Sequence, residues 1–257
     1  MKKRSHDFRQ QAKDALQGNW FIAIIAGIIA SFFGAQAFYG GGVSFEFSVP
    51  SGGSGSGMTE EELLLIFGEL SNSDITEVLS SSFFMAYLAF VSAMVIFASV
   101  WNVLRLIFGG AIGIGYSNFN LDLIEGRKAK LSTLFGSMKQ LINGLLANIL
   151  RGIFISLWSL LFFIPGIIAN YSYAMVHYVM ADNPGISASD AIAESKRLMK
   201  GNKWRLFCLN LSFFGWVLLA ALFTFGIGFL WLIPYQEAAY AAFYRDICPA
   251  KTLENAA

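Results

Sequence analysis

Residues 19–39 read NWFIAIIAGIIASFFGAQAFY. From Ile22 to Ile29 no polar residue interrupts the run, so it lacks the strict alternation that a membrane barrel strand needs. A helix satisfies all of its backbone groups internally, as lipid demands, and about 20 apolar residues reach across the hydrocarbon core. The stretch therefore predicts a membrane-crossing helix. The whole chain has the same character: 56% of its 257 residues are hydrophobic and 14% are charged, against roughly 45–50% and about 25% in soluble domains.

Five further runs of this kind follow, at Phe83 to Phe108, Leu141 to Ile164, Ile167 to Ala181, Leu206 to Phe225 and Ile227 to Ala242. Only Phe163-Ile164-Pro165-Gly166 joins the third run to the fourth, and only Thr224 to Gly228 joins the fifth to the sixth. Connections this short predict antiparallel neighbours. The expected architecture is all-α: a single polytopic membrane domain over residues 1–257, with about six transmembrane helices as three hairpins and with cytoplasmic amphipathic helices. Residues 1–18 form a surface helix in this scheme, and residues 40–82 an outside loop.

Lysine and arginine orient it. They cluster in Lys2 to Lys13, Arg127 to Lys139, Lys196 to Arg205 and Arg245 to Lys251, and none lies between Lys13 and Arg105. The loop between the first two runs instead carries Glu46, Glu60, Glu61, Glu62, Glu69, Asp74 and Glu77. The positive-inside tendency then places the basic clusters and both termini in the cytoplasm and the acidic loop outside. The loop is rich in glycine and serine up to Gly57, a composition of flexible coil. Thr59-Glu60-Glu61-Glu62 has the pattern of a helix N-cap, leaving either a short amphipathic helix to Leu70 or disorder. A basic start, an apolar stretch and Ala35-Gln36-Ala37 imitate a cleavable signal; the long segment before the run, with Asp7 and Asp14, favours keeping it as the first span. The net charge of +1 gives no reason to expect a nucleic-acid partner. Membrane lipids of the anionic inner leaflet are expected at the basic segments, each nearby cation contributing about 1 kcal/mol. A membrane-protein partner or a second copy is compatible with the pattern. Cys208 and Cys248 both fall near the cytoplasmic side, where a disulfide is not expected.

The entries to the first and fifth runs repeat. Leu16-Gln17-Gly18-Asn19-Trp20 follows one basic amphipathic segment, and Met199-Lys200-Gly201-Asn202-Lys203-Trp204 follows another. Glycine and asparagine tolerate the left-handed conformation that ends a helix, and tryptophan prefers the membrane interface; Trp20 and Trp204 are the expected interfacial anchors. Leu131 to Gln140 is a weaker version. The even-numbered runs finish alike in tyrosines: Tyr116, then Tyr171, Tyr173 and Tyr178, then Tyr235, Tyr240 and Tyr244.

Leu161-Phe162-Phe163-Ile164-Pro165-Gly166 with Ile167 to Met175, Ala181-Asp182-Asn183-Pro184, Gly201-Asn202-Lys203-Trp204 and Ser212-Phe213-Phe214-Gly215-Trp216 together resemble the integral membrane family of Gram-positive bacteria known as domain of unknown function 975. Gly18-Asn19-Trp20 and Ala242-Phe243-Tyr244 fit as well. The resemblance implies a six-span bacterial plasma-membrane protein, and carries over no catalytic or binding residue.

Charges inside apolar spans are costly and usually face protein or water. Arg105, Arg151 and Glu237 are such charges, and an Arg151–Glu237 or Arg105–Glu237 pair is the candidate intramembrane polar cluster. The competing reading lets both arginines snorkel to headgroups while Glu237 accepts a local hydrogen bond. His177 joins the list as the histidine of the fourth run, with an interfacial hydrogen bond as its plainer role. Pro165 and Pro234 are expected to shape a turn and a kink, and Gly109-Gly110-Ala111-Ile112-Gly113 to mark close helix packing. No nucleophile elbow, metalloprotease or nucleotide-loop motif occurs, so no enzyme, cofactor or metal site is expected. The leading functional expectation is a non-enzymatic protein that organises or assists other envelope components. The alternative is a small transporter or lipid- or peptide-handling protein with a polar route in the inner half of the bundle.

Overall fold

Two Gly-Asn pairs turn the chain through the same backbone path. The computed structural model describes residues 3–35, 82–161, 163–224 and 226–248; most of the expected outside loop, with the segment from Thr59 to Leu70, lies outside them. Helix α1 (Ser5–Leu16) ends at Gly18, and α2 (Trp20–Phe32) follows it at 108°. Gly18 has φ of 82° and Gly201 of 81°, a region that glycine enters at no steric cost. Asn19 N–H donates to Leu16 C=O at 2.9 Å, and Asn202 N–H to Met199 C=O at 3.1 Å. The first bond of each new helix, Ala23 to Asn19 and Leu206 to Asn202, matches too. The third, weaker version differs: α4 (Ser132–Gly136) passes through a 3₁₀ turn at Ser137–Gln140 into α5 (Leu141–Leu161) without a left-handed glycine.

The described residues form helices throughout, without a strand. Besides those named they are α3 (Ser82–Ile124), α6 (Phe163–Ser172), α7 (Val176–Asp182), α8 (Ala188–Leu198), α9 (Lys203–Phe223) and α10 (Phe229–Ile247). The chain divides into two units, residues 41–103 and residues 1–40 with 104–257. In the first, the described part is the start of α3, whose Tyr87, Phe90, Ile96, Phe97 and Val103 are exposed. In the second, α5 lies beside α6, α9 beside α10, α2 against α10, and α8 against α5 and α7. Thr224 Oγ1 accepts from Gly228 N–H at 2.8 Å across the turn into α10.

Among the described residues, three helices are long and apolar enough to cross a membrane: Phe84–Ile124, Ser132–Leu160 and Lys203–Phe223, with the bent pair α1–α2 as a fourth if counted as one span. This is fewer than the six expected, for physical reasons. The fourth expected span, Ile167 to Ala181, is broken between α6 and α7. Ser195 of α8, fully buried, stitches that break: its hydroxyl donates to Ser172 C=O at 2.9 Å and accepts from Met175 N–H at 3.2 Å. The sixth, Ile227 to Ala242, falls in a helix that runs on to Ile247 and carries Glu237, Arg245 and Asp246. The second expected span does not stop at Phe108, because α3 continues to Ile124.

That continuation is where the glycines lie. A Cβ on Gly110 would come within 2.3 Å of the Gly144 backbone on α5, one on Gly115 within 2.0 Å of the Leu134 carbonyl, and one on Gly113 within 3.1 Å of the His177 ring. The Gly-rich run is thus a packing surface, as its spacing predicts. The expected surface helix α1 also packs on protein. Phe8, Ala12 and Leu16 are buried, Phe8 edge-on to Phe243 at 5.4 Å, and α1 lies against α10 and α9.

Candidate functional site

Pro234 removes one backbone donor from α10 and sits against Gly27 of α2. One turn on, small residues take over: Ala238, Ala239, Ala241 and Ala242 are fully buried, letting neighbouring helices approach closely. Glu237 opens this segment and is only 2% exposed. A buried carboxylate is tolerated where hydrogen bonds and opposite charge meet it. Tyr178 of α7 meets it, its hydroxyl 3.2 Å from Glu237 Oε2 and 3.2 Å from the Glu237 carbonyl. Arg151 of α5 lies within electrostatic reach of both Glu237 and His177, and its Nη2 donates to Asn170 Oδ1 at 3.4 Å.

The seam extends on either side. Tyr240 donates to Asn210 Oδ1 at 2.6 Å, and Asn210 Nδ2 donates to the Tyr171 hydroxyl at 3.2 Å. Tyr116 of α3, 1% exposed, also lies within electrostatic reach of Glu237. His177, 3% exposed, has Nε2 2.9 Å from Asn148 Oδ1. Tyr116 and Asn120 lie within hydrogen-bonding reach of each other, while His177 Nδ1 and Gln236 Oε1 are among the described atoms buried without a hydrogen-bond partner.

Of the four residues singled out from sequence, Arg151 lies within electrostatic reach of Glu237 and of His177. Arg105 does not join them. Its guanidinium lies against Gly34, 2.6 Å from where a Cβ would stand, beyond the C-terminal end of α2. Glu237 lies past the level at which Gly27 meets Pro234. The tyrosines Tyr116, Tyr178 and Tyr240, noted in the sequence only as similar endings, are the residues that complete the seam.

At the helix ends rich in lysine and arginine, ion pairs replace apolar contact. Asp182 accepts from Arg245 Nη1 at 2.5 Å and Nη2 at 2.8 Å, and from the Tyr244 hydroxyl at 2.9 Å. Glu125, at the end of α3, pairs with Arg245 and Arg127. Arg205 bonds Asp246 at 2.5 Å and lies over the rings of Phe8 and Phe243. No local sequence pattern announces these ion pairs, whose members are scattered along the chain. Ser187 accepts from Asp190 N–H at 3.2 Å and so caps α8. The interfacial tryptophans differ: Trp20 is half-buried, while Trp204 is 71% exposed and stacks on Phe207 at 5.0 Å. Cys208 and Cys248 are free, and no group of three metal-ligating side chains occurs among the described residues.

Residues 160–251 match the model of a family described as protein of unknown function (DUF975), the family that the sequence motifs resemble. No curated protein and no solved structure matches the chain.

Proposed function

We propose that this chain is a multi-pass plasma-membrane protein, basic end in the cytoplasm, that works without catalysis by holding or assisting other envelope components at its outer surface. The observation that carries this reading is where the polar chemistry sits. Glu237, His177 and Tyr178 are buried and engage side chains of the same chain, so the seam holds helices together. What remains for contact is the apolar flank of α5 and α9 and the lysines at the helix ends. Six crossings require α6 with α7 to act as one broken span and α10 to carry its charges inside the bundle, which the burial of Glu237 supports. Cross-linking with mass spectrometry in native membranes tests the role: a recurrent protein partner on the apolar flank or the basic helices supports it, and a chain that cross-links only to itself counts against it.

A second reading rests on the unpartnered buried atoms His177 Nδ1 and Gln236 Oε1. Such atoms are usually met by ordered water or an ion, and a hydrated seam reaching Glu237 would suit a small transporter. Retention of a small molecule by the purified protein, lost in Glu237→Gln, would favour this second reading.

A further inference from the structure

The two Gly-Asn corners share a backbone but not a charge environment. At the first, Arg9 is spent on the Ser212 carbonyl at 3.3 Å, Lys3 reaches Gln11, and Asp7 and Asp14 lie on the same helix as Lys13. At the second, the local acids are taken by arginines or a cap. Glu194 is held by Arg197 at 2.7 Å and 2.5 Å, Asp246 by Arg205 and Asp190 by Ser187. Lys196, Lys200 and Lys203 have no carboxylate partner among the described residues, although Lys196 and Lys203 lie close enough to feel each other's charge. Like charges held together without a counter-ion form a site for an anion.

An apolar stripe starts beside these lysines. Trp204, Phe207, Leu211, Phe214 and Leu218 follow one another at helical spacings of three and four on α9, and are 71, 36, 59, 61 and 50% exposed. At about 1.5 Å per residue the stripe spans about 21 Å, enough to line one leaflet of a hydrocarbon core about 30 Å thick. The first corner also carries exposed apolar residues, Phe21, Ile28 and Phe32 on α2, so the two corners differ in charge: there Lys13 shares its helix with Asp7 and Asp14.

We infer that the corner between α8 and α9 is a binding site for one anionic phospholipid, its phosphate between Lys196, Lys200 and Lys203 and its acyl chains along the Trp204 to Leu218 stripe. The inference rests on the membrane reading above and adds a particular ligand at one of two matching corners. Ammonium groups meet the phosphate as point charges, Trp204 sits at headgroup level, and a zwitterionic lipid, whose own cation the lysines repel, is disfavoured.

The test is native mass spectrometry of the detergent-purified full chain with phosphatidylglycerol or phosphatidylcholine added, for wild type, Lys196→Gln/Lys203→Gln and Lys13→Gln. Wild type should retain phosphatidylglycerol preferentially, the double variant should lose at least about tenfold of that retention, and Lys13→Gln should stay within about twofold of wild type. Inorganic phosphate should not displace the lipid. Equal retention of both lipids, displacement by free phosphate, or an equal loss in Lys13→Gln, which would mean diffuse surface charge, overturns the proposal. An unchanged melting temperature in the double variant separates lost binding from lost folding. If alkaline washing strips the chain from membranes, the membrane reading falls and this site with it; a firmly embedded chain without lipid preference sinks the site alone.

Discussion

Helices α9 and α10 are neighbours in one connection and nearly equal in length, 21 and 19 residues, yet the more apolar of the two is the less buried. On α9 the large apolar side chains point outward: Trp216, Leu218, Leu222 and Phe223 are exposed, and only Leu206, Leu209, Phe213 and Ala220 are buried. On α10 every residue from Gln236 to Tyr244 is buried, including Gln236 and Glu237. Burial here does not follow hydrophobicity. Lipid is as apolar as leucine, so large hydrophobic groups gain little by leaving it, while small residues that let backbones approach, and charges that lipid rejects, belong inside.

The contrast can be broken most severely at Glu237. Glu237→Leu removes the partner of Tyr178 and the countercharge near Arg151, and should cost about 3–5 kcal/mol, as broken buried pairs do. Thermal melting in detergent reads the loss, and Arg151→Leu in the same background should recover part of it. Next comes size: Ala241→Phe on α10 should destabilise by about 1–3 kcal/mol through overpacking, whereas Leu218→Phe on α9 should stay within about 0.5 kcal/mol of wild type. Equal melting shifts for the two would erase the distinction between the helices. Ser195→Ala should cost about 1–3 kcal/mol, because Met175 N–H and Ser172 C=O lose their partner at the break between α6 and α7; faster amide exchange confined to residues 172–176 is the expected signature.

The smallest effect lies at the exposed end. The hydrogen bond from Arg197 holds the Glu194 carboxyl below its usual range. A depressed folded value stabilises above the unfolded pKa, about 4.3, and the contribution disappears as pH falls through the folded one. Glu194→Gln should therefore cost a few tenths of a kcal/mol at neutral pH, and a melting series on acidification should bring variant and wild type together.

Much of this contrast is legible in the sequence where it depends on local chemistry. Gly18-Asn19 and Gly201-Asn202 predict matching turns because glycine and asparagine act within a few residues, and the two sets of bonds agree. Gly109 to Gly113 predicts close packing for a similar reason: a missing side chain admits a neighbour whatever that neighbour is. The rest depends on partners far away in the chain. The break at Tyr173 to Met175 is held by Ser195, which no local pattern announces, so Ile167 to Ala181 reads as one span. Arg105 and Arg151 look equivalent as charges in apolar runs. Only helix register sends one to Gly34 and the other towards Glu237. The tyrosine endings are visible in the sequence, but which of them reach Glu237, Tyr178 by a hydrogen bond and Tyr116 by proximity, depends on the packing of α3, α7 and α10.

The central claim is that α9 faces lipid while the buried half of α10 faces protein. Photolabelling of native membranes with a lipid-soluble carbene, followed by peptide mass spectrometry, measures this directly. The account predicts heavy labelling of α9 at Leu211 to Phe223 and little or none between Gln236 and Tyr244. Equal labelling of the two segments, or labelling concentrated on Gln236 to Tyr244, would contradict it.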